Sequence, residues 1–365
     1  MIVGCDCLGV IAYLSGHVIN AHGEFVAKNN CICIHEVDAG IQWKHTNHRT
    51  GKASVVRKRQ LQLQTIITVA NYEYIFYWVL DQSGEIEFET RATGILSTTP
   101  IDPDNRDKIP FATRVGNGVL ASYHQHIFNL RIDPTMTATT SRSPTSTAYR
   151  CLRTPRSTHT ERVKTDPLAA RIFKISNPST LNPVSLAPVA YKLVPISSQV
   201  LLANTDLWHH RRGDFCDAPI WVTKYKDREL FPAEDYTDQS SGGEGIRSWV
   251  ARDDNVEDTD LVVWLPIHLH TTPDQRTSPS CVTAESVRIA MKPVGFFNYN
   301  PTMDVPPSNQ AFNQSKLYDP TLQVCADSQV SELPAQVNVL HVNGNGHGTA
   351  NGVNGANGSC CSARS

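Results

Sequence analysis

The sequence predicts an all-β protein built as a large β-sandwich, and three observations predict it. The first 130 residues read as successive β-strands, with period-two alternation at 55–70 and 85–90, no amphipathic helix of convincing length interrupts them, and 22 prolines with 21 glycines punctuate the chain. Alternation at period two marks strands with one buried face, and Pro and Gly supply the turns between them. With 365 residues the chain is long enough to bury a sizeable core.

The elements can be taken in order. Residues 55–70 alternate basic or polar side chains with Leu, Ile and Val, and residues 74–80 are aromatic and β-branched. The turn Asp81-Gln82-Ser83-Gly84 leads into a third alternating run, 85–90. Residues 134–171 are rich in Thr, Ser, Arg and Pro without periodicity and are expected to form a long atypical loop. Strand-like runs resume at 189–203, 220–225, 261–264 and 287–297. The sandwich is expected within 1–310, followed by a disordered tail, 311–365, that carries the Gly/Asn tract 343–359.

Charge excludes several roles. Thirty-three basic against 35 acidic residues give a net charge of -2, with no basic excess to bind nucleic acid or a membrane surface. No apolar run approaches the ~18 residues of a membrane span. The N-terminus carries Asp6 and no basic segment, so no signal peptide is expected and the predicted location is cytoplasmic or peroxisomal. Among ten cysteines, Cys5, Cys7, Cys31 and Cys33 form two Cys-x-Cys pairs. Residues i and i+2 of a strand share a face, so one cysteine of each pair can meet across strands, for structural pairing, plain burial or metal binding.

Two motifs carry chemistry. Thr68-Val-Ala-Asn71-Tyr72-Glu73-Tyr74 sets an aromatic and acidic cluster inside an apolar strand. Read alone, it is a buried strand whose tyrosine hydroxyls pair with neighbours. His124-Gln125-His126 projects two imidazoles from one side of a strand. That is the geometry a metal needs, though surface histidines share the spacing.

Asn71-Tyr72-Glu73-Tyr74 followed by His124-x-His126 resembles the copper amine oxidases. Gly4-Cys-Asp-Cys-Leu-Gly9, Ile34-His-Glu36, Trp43-Lys-His45, Thr93-Gly-Ile-Leu96, Trp221-Val-Thr-Lys-Tyr225 and Lys292-Pro-Val-Gly-Phe-Phe297 extend the resemblance over about residues 2–308, with the fungal members most alike. The resemblance implies that Tyr72 is the precursor of topaquinone, the quinone cofactor that forms a Schiff base with a primary amine. It implies His124 and His126 as copper ligands, and an overall conversion of amine and O2 to aldehyde, ammonia and hydrogen peroxide. It further implies Asp133 and Asp260 in a peripheral site for calcium or another hard cation, a Cys7–Cys33 disulfide, and a homodimer.

The same resemblance implies two departures. The family's catalytic aspartate aligns ahead of Met1, so no residue of this chain inherits the general base and the sandwich is expected to be incomplete at its N-terminus. The third copper ligand, a histidine, should follow Trp264 by seven residues, a count that lands on Thr271. Either His270, one place early, serves through a one-residue bulge, or the ligand is lost. Permissible codons for residues 270–281, read two bases out of phase, restore the family's His-x-Pro-Arg pattern, so a frameshift or misplaced splice junction is expected within 265–282. The alternative reading is a catalytically inactive, truncated remnant that at most binds copper.

Overall fold

The alternating runs become strands, and every ladder between them is antiparallel among the described residues. The computed structural model describes residues 1–308, except 106, 135–146, 152–158, 164–171, 195–200, 237–242, 258, 274–279 and 282–285. The expected tail, 311–365, lies outside the described residues. So does most of the expected loop 134–171, although short strands occur at Thr147–Cys151 and Glu161–Val163 within it.

In chain order the strands begin with β1 (Ile11–Ile19), β2 (Phe25–Thr46), β3 (Ala53–Val69), β4 (Tyr72–Asp81) and β5 (Ile86–Ile95). Next come β6 (Thr99–Pro100), β7 (Ala112–Gly116), β8 (Val119–Ser122) and β9 (His124–Ile132). They continue as β10 (Thr147–Cys151), β11 (Glu161–Val163), β12 (Ile172–Leu181) and β13 (Pro188–Val194). Helix α1 (Trp208–Arg212), β14 (Ile220–Lys224), helix α2 (Ile246–Ala251), β15 (Leu261–Thr271), β16 (Ser280–Cys281) and β17 (Ser286–Val294) complete the series. Of the strand expected over 189–203, β13 accounts for 189–194 and residues 195–200 lie outside the described residues, whereas the strand expected over 261–264 runs on to Thr271.

The large sheet has the order β1-β2-β3-β4-β5-β17-β13-β12-β10, with β16 also paired to β5. A second sheet, β11-β14-β15-β9, packs against it, and β6-β8-β7 forms a small third sheet. Leu130, Ile132, Val263, Leu265 and Ile267 of the second sheet meet Phe173, Ile175, Val189, Leu193 and Ile289 of the large one in a buried core. Each such side chain contributes about 1.5–3 kcal/mol relative to exposure. On its other face the second sheet packs Val262 and Trp264 against Phe215, Ile246 and Trp249. Because β15 is covered on both faces, its sequence from Leu261 to Ile267 is apolar instead of alternating. Pro266, which has no amide hydrogen, lies just beyond the last residue of β15 that pairs with β14.

Turn chemistry sets where strands begin. Asp81 Oδ1 accepts the Ser83 and Glu85 amides and the Ser83 hydroxyl, closing the β4–β5 turn with Gly84 at a φ of 76°. Between β3 and β4 only Ala70 and Asn71 intervene, and Ala70 takes a φ of 53° to close the hairpin. Tyr72 thereby becomes the first residue of β4.

Candidate active site at one end of the sandwich

The register of β9 on β15 decides which side chains enter the site. Leu130 faces Leu265, Phe128 faces Ile267, His126 faces Leu269 and His124 faces Thr271. Since opposed residues of an antiparallel pair point to the same side, His124 and His126 share the inner face with the core leucines. Tyr72, Tyr74 and Phe76 of β4 come from the opposing sheet on alternate positions. The two tyrosines therefore meet the two histidines across the sandwich.

The contacts are direct. The Tyr72 oxygen lies 3.0 Å from Nε2 of His124, and the Tyr74 oxygen 2.8 Å from Nδ1 of His126. Ring centroids are 4.7 Å apart for Tyr72 and His126, and 4.9 Å for the two imidazoles. The Ser97 amide donates to the Tyr72 oxygen at 3.2 Å. Nδ1 of His124 lies 2.9 Å from the Ser122 carbonyl, which can only accept. This contact puts the proton on Nδ1 and leaves the Nε2 lone pair aimed at Tyr72. Leu96 and Ala121 pack against Tyr72, so the phenol is buried.

Burial disfavours charge on two groups of the site. Burial, then the neighbouring His124, lowers His126 to about 4. Burial raises Tyr74, and the charge of Tyr72 adds to that shift. At neutral pH His126 is thus an uncharged imidazole with a lone pair to offer.

His270 is not brought to this site. No register shift interrupts the pairing from Val263–Ile132 to Thr271–His124, so the expected one-residue bulge does not occur. His268 and His270 lie one place out of phase with Leu269 and Thr271, and the pleat sends them to the other side of the second sheet. There His270 stands edge-on to Tyr123, ring centroids 6.4 Å apart. The position sharing a face with His124 is Thr271.

The remaining expected residues fall elsewhere. Asp260 is raised first by burial and then by Asp133, which places the two carboxylates within electrostatic reach of each other. Arg131 donates to Asp133 at 3.2 Å. Cys7 and Cys33 come together as buried free thiols on the other face of the large sheet, away from Tyr72. Sequence reasoning missed the Ser97 amide and the Ser122 carbonyl, which are backbone groups without a residue signature. It also missed a role for Tyr74, which shares the face of Tyr72 by the simple i, i+2 rule.

Comparison with known proteins follows the same lines. A family model described as "Copper amine oxidase, enzyme domain" matches residues 1–312. Copper amine oxidase 1 of Aspergillus niger is 41% identical over 322 residues, covering 83% of this chain and 47% of that protein. A peroxisomal primary amine oxidase of Pichia angusta is 33% identical over 329 residues, 84% of this chain and 47% of its own length. Among solved structures, a copper-containing benzylamine oxidase from Hansenula polymorpha superposes with a TM-score of 0.77 at 38% identity, over 84% of this chain and 50% of that one. The chain thus spans about half the length of the relatives it matches. With the shared sandwich and a family model covering residues 1–312, the chain belongs to the copper amine oxidase family.

Proposed function

We propose that this chain carries the copper- and quinone-bearing centre of a primary-amine oxidase, which converts a primary amine, O2 and water to aldehyde, ammonia and hydrogen peroxide. One observation supports the reading above others: the Tyr72 phenol lies against two imidazoles, 3.0 Å from Nε2 of His124 and with its ring 4.7 Å from that of His126. The donor set fits the metal, because imidazole nitrogens suit copper. In this reading His124 and His126 hold the copper, and Tyr72 is the residue converted to topaquinone, which supplies an electrophilic carbonyl for the amine.

The chain's own groups have definite tasks. The Ser122 carbonyl fixes the His124 tautomer and ring orientation. The Ser97 amide orients the Tyr72 oxygen. Burial keeps His126 unprotonated, so protons do not compete with metal at neutral pH. Asp133 and Asp260 are proposed as hard oxygen donors for calcium or a similar cation at a peripheral site. A homodimer in the cytoplasm or peroxisome belongs to the same proposal; the Pichia angusta relative is itself named as peroxisomal.

A second reading, a copper-binding chain without amine oxidation, is favoured by one observation: Thr271, not a histidine, shares a face with His124. Aerobic incubation of the full chain with Cu(II), followed by a redox-cycling quinone stain, tests the first reading. Staining is expected in the unaltered chain, and its absence is expected without copper or in Tyr72→Phe. Staining that survives Tyr72→Phe rules out the cofactor assignment. Staining without hydrogen peroxide release from any of a panel of primary amines selects the second reading.

A further inference from the structure

Tyr74 makes a contact to which the quinone chemistry assigns no task. It follows Tyr72 by two residues on β4, as His126 follows His124 on β9, so each tyrosine meets one histidine across the sandwich. The two pairs differ in the nitrogen they engage. The Tyr72 oxygen lies 3.0 Å from Nε2 of His124, whose Nδ1 is taken by the Ser122 carbonyl. The Tyr74 oxygen lies 2.8 Å from Nδ1 of the buried His126, so Nε2 is the nitrogen that this ring has left to offer. Both imidazoles thus tie down Nδ1 and present Nε2. The Tyr74 ring is itself held in place. It lies edge-on to His126 and to Phe128, with ring centroids 5.5 and 5.3 Å apart, and stacks with Tyr72 at 6.4 Å.

We infer that Tyr74 is a positioning residue for the metal: its phenol oxygen accepts the Nδ1 proton of His126 and so fixes the orientation and tautomer of that ring. The role rests on the reading of His126 as a copper ligand, and the proton count then sets its direction. A neutral imidazole carries one N–H, and a metal at Nε2 leaves that proton on Nδ1. The Tyr74 oxygen, 2.8 Å away, receives it. Deprived of this acceptor the buried N–H is left unsatisfied and the ligand loses its fixed orientation, which weakens the metal bond. Ser122 serves His124 in the same way through a backbone carbonyl, a group that no side-chain substitution removes. The arrangement also separates the two tyrosines. The Tyr72 hydroxyl lies at a nitrogen that faces the metal and the Tyr74 hydroxyl at one that faces away, so Tyr74 stays a phenol while Tyr72 is the ring exposed to oxidation.

Electron spin echo spectroscopy of the full chain, loaded anaerobically with Cu(II), tests this because it reads the remote nitrogen of each metal-bound imidazole. The parent should show two remote nitrogens. In Tyr74→Phe, which removes one oxygen and keeps the ring, the quadrupole coupling of one nitrogen should shift while the other stays. Cu(II) affinity, read by competition with a chelator, should fall about 10–100-fold in the same variant. Two unchanged couplings overturn the proposal even where affinity falls, since a general loss of packing weakens binding without singling out one nitrogen. A second readout needs no variant. In the parent chain, isotope-labelled at histidine nitrogen and loaded with diamagnetic Zn(II), magnetic resonance should find the His126 proton on Nδ1 and the metal on Nε2; metal on Nδ1 overturns the proposal. A parent without any imidazole modulation removes the copper site itself, and the role of Tyr74 with it.

Discussion

At the scale of the residue, position 271 decides how many imidazoles can meet at Tyr72. Thr271 shares a face with His124, while His270 points to the opposite side of the second sheet. Thr271→His is therefore expected to tighten Cu(II) binding at least about tenfold, roughly 1.4 kcal/mol, by adding a third nitrogen donor. His270→Ala should leave the affinity within about twofold, since a side chain on the far face loses no metal contact. Competition against a chelator of known strength reads both; the reverse ranking would show that the register is wrong. Tyr72, His124 and His126 were legible in the sequence as two motifs whose roles the family resemblance implied. The facing of His270 was not. Its strand is apolar on both faces from Leu261 to Ile267, which erases most of the alternation that tells in from out, and pairing with β9 restores it.

At the scale of the element, the β4–β5 ladder holds Tyr72 in place, and two positions in it carry predictions. Gly94 is opposite Tyr72 at a φ of 119°, and a Cβ there would lie 2.4 Å from the Asn71 carbonyl oxygen. Gly94→Ala is expected to cost roughly 1–3 kcal/mol in urea unfolding and to lower quinone yield as Tyr72 is displaced. A variant as stable as its parent would show that the backbones do not approach so closely. At the other end of β4, burial alone would raise the Asp81 carboxyl, but bonds from Ser83, Lys58 and the Glu85 amide hold it below its ordinary range. A carboxyl lowered on folding stabilises fully above its unfolded pKa of about 3.9, and that stability is lost as pH falls through the folded value. Unfolding free energy should therefore drop steeply below about pH 4 in the parent and less steeply in Asp81→Asn; identical slopes would remove Asp81 from the account.

The alternating runs 55–70 and 85–90 and the aromatic, β-branched run 74–80 correspond to β3, β5 and β4. Of the run 189–203, residues 189–194 lie in β13, 195–200 lie outside the described residues and 201–203 are not strand. The run expected over 261–264 continues to Thr271, and Pro266 is accommodated because it falls where β15 has lost its β14 neighbour.

At the scale of the whole molecule, the large sheet extends beyond the second sheet that covers it. Leu14, Ile32, Leu61, Ile67 and Val69 share the face of Tyr72 yet remain between 37% and 52% exposed. A contiguous apolar sheet face of this kind marks an association surface. Analytical ultracentrifugation of the purified chain is expected to find dimers or larger assemblies, and a monodisperse monomer would contradict the proposed homodimer. The sandwich class was readable from alternation. Its layering was not, because which strands oppose which is set by long-range pairing.

The most direct test of the central claim is the mass of the Tyr72 peptide after the full chain meets Cu(II) in air. Oxidation of the ring to a quinone is expected at Tyr72 and not at Tyr74, only when copper and O2 are both present, and not in a His124→Ala, His126→Ala chain. Copper bound through His124 and His126 beside an unmodified Tyr72 would contradict it.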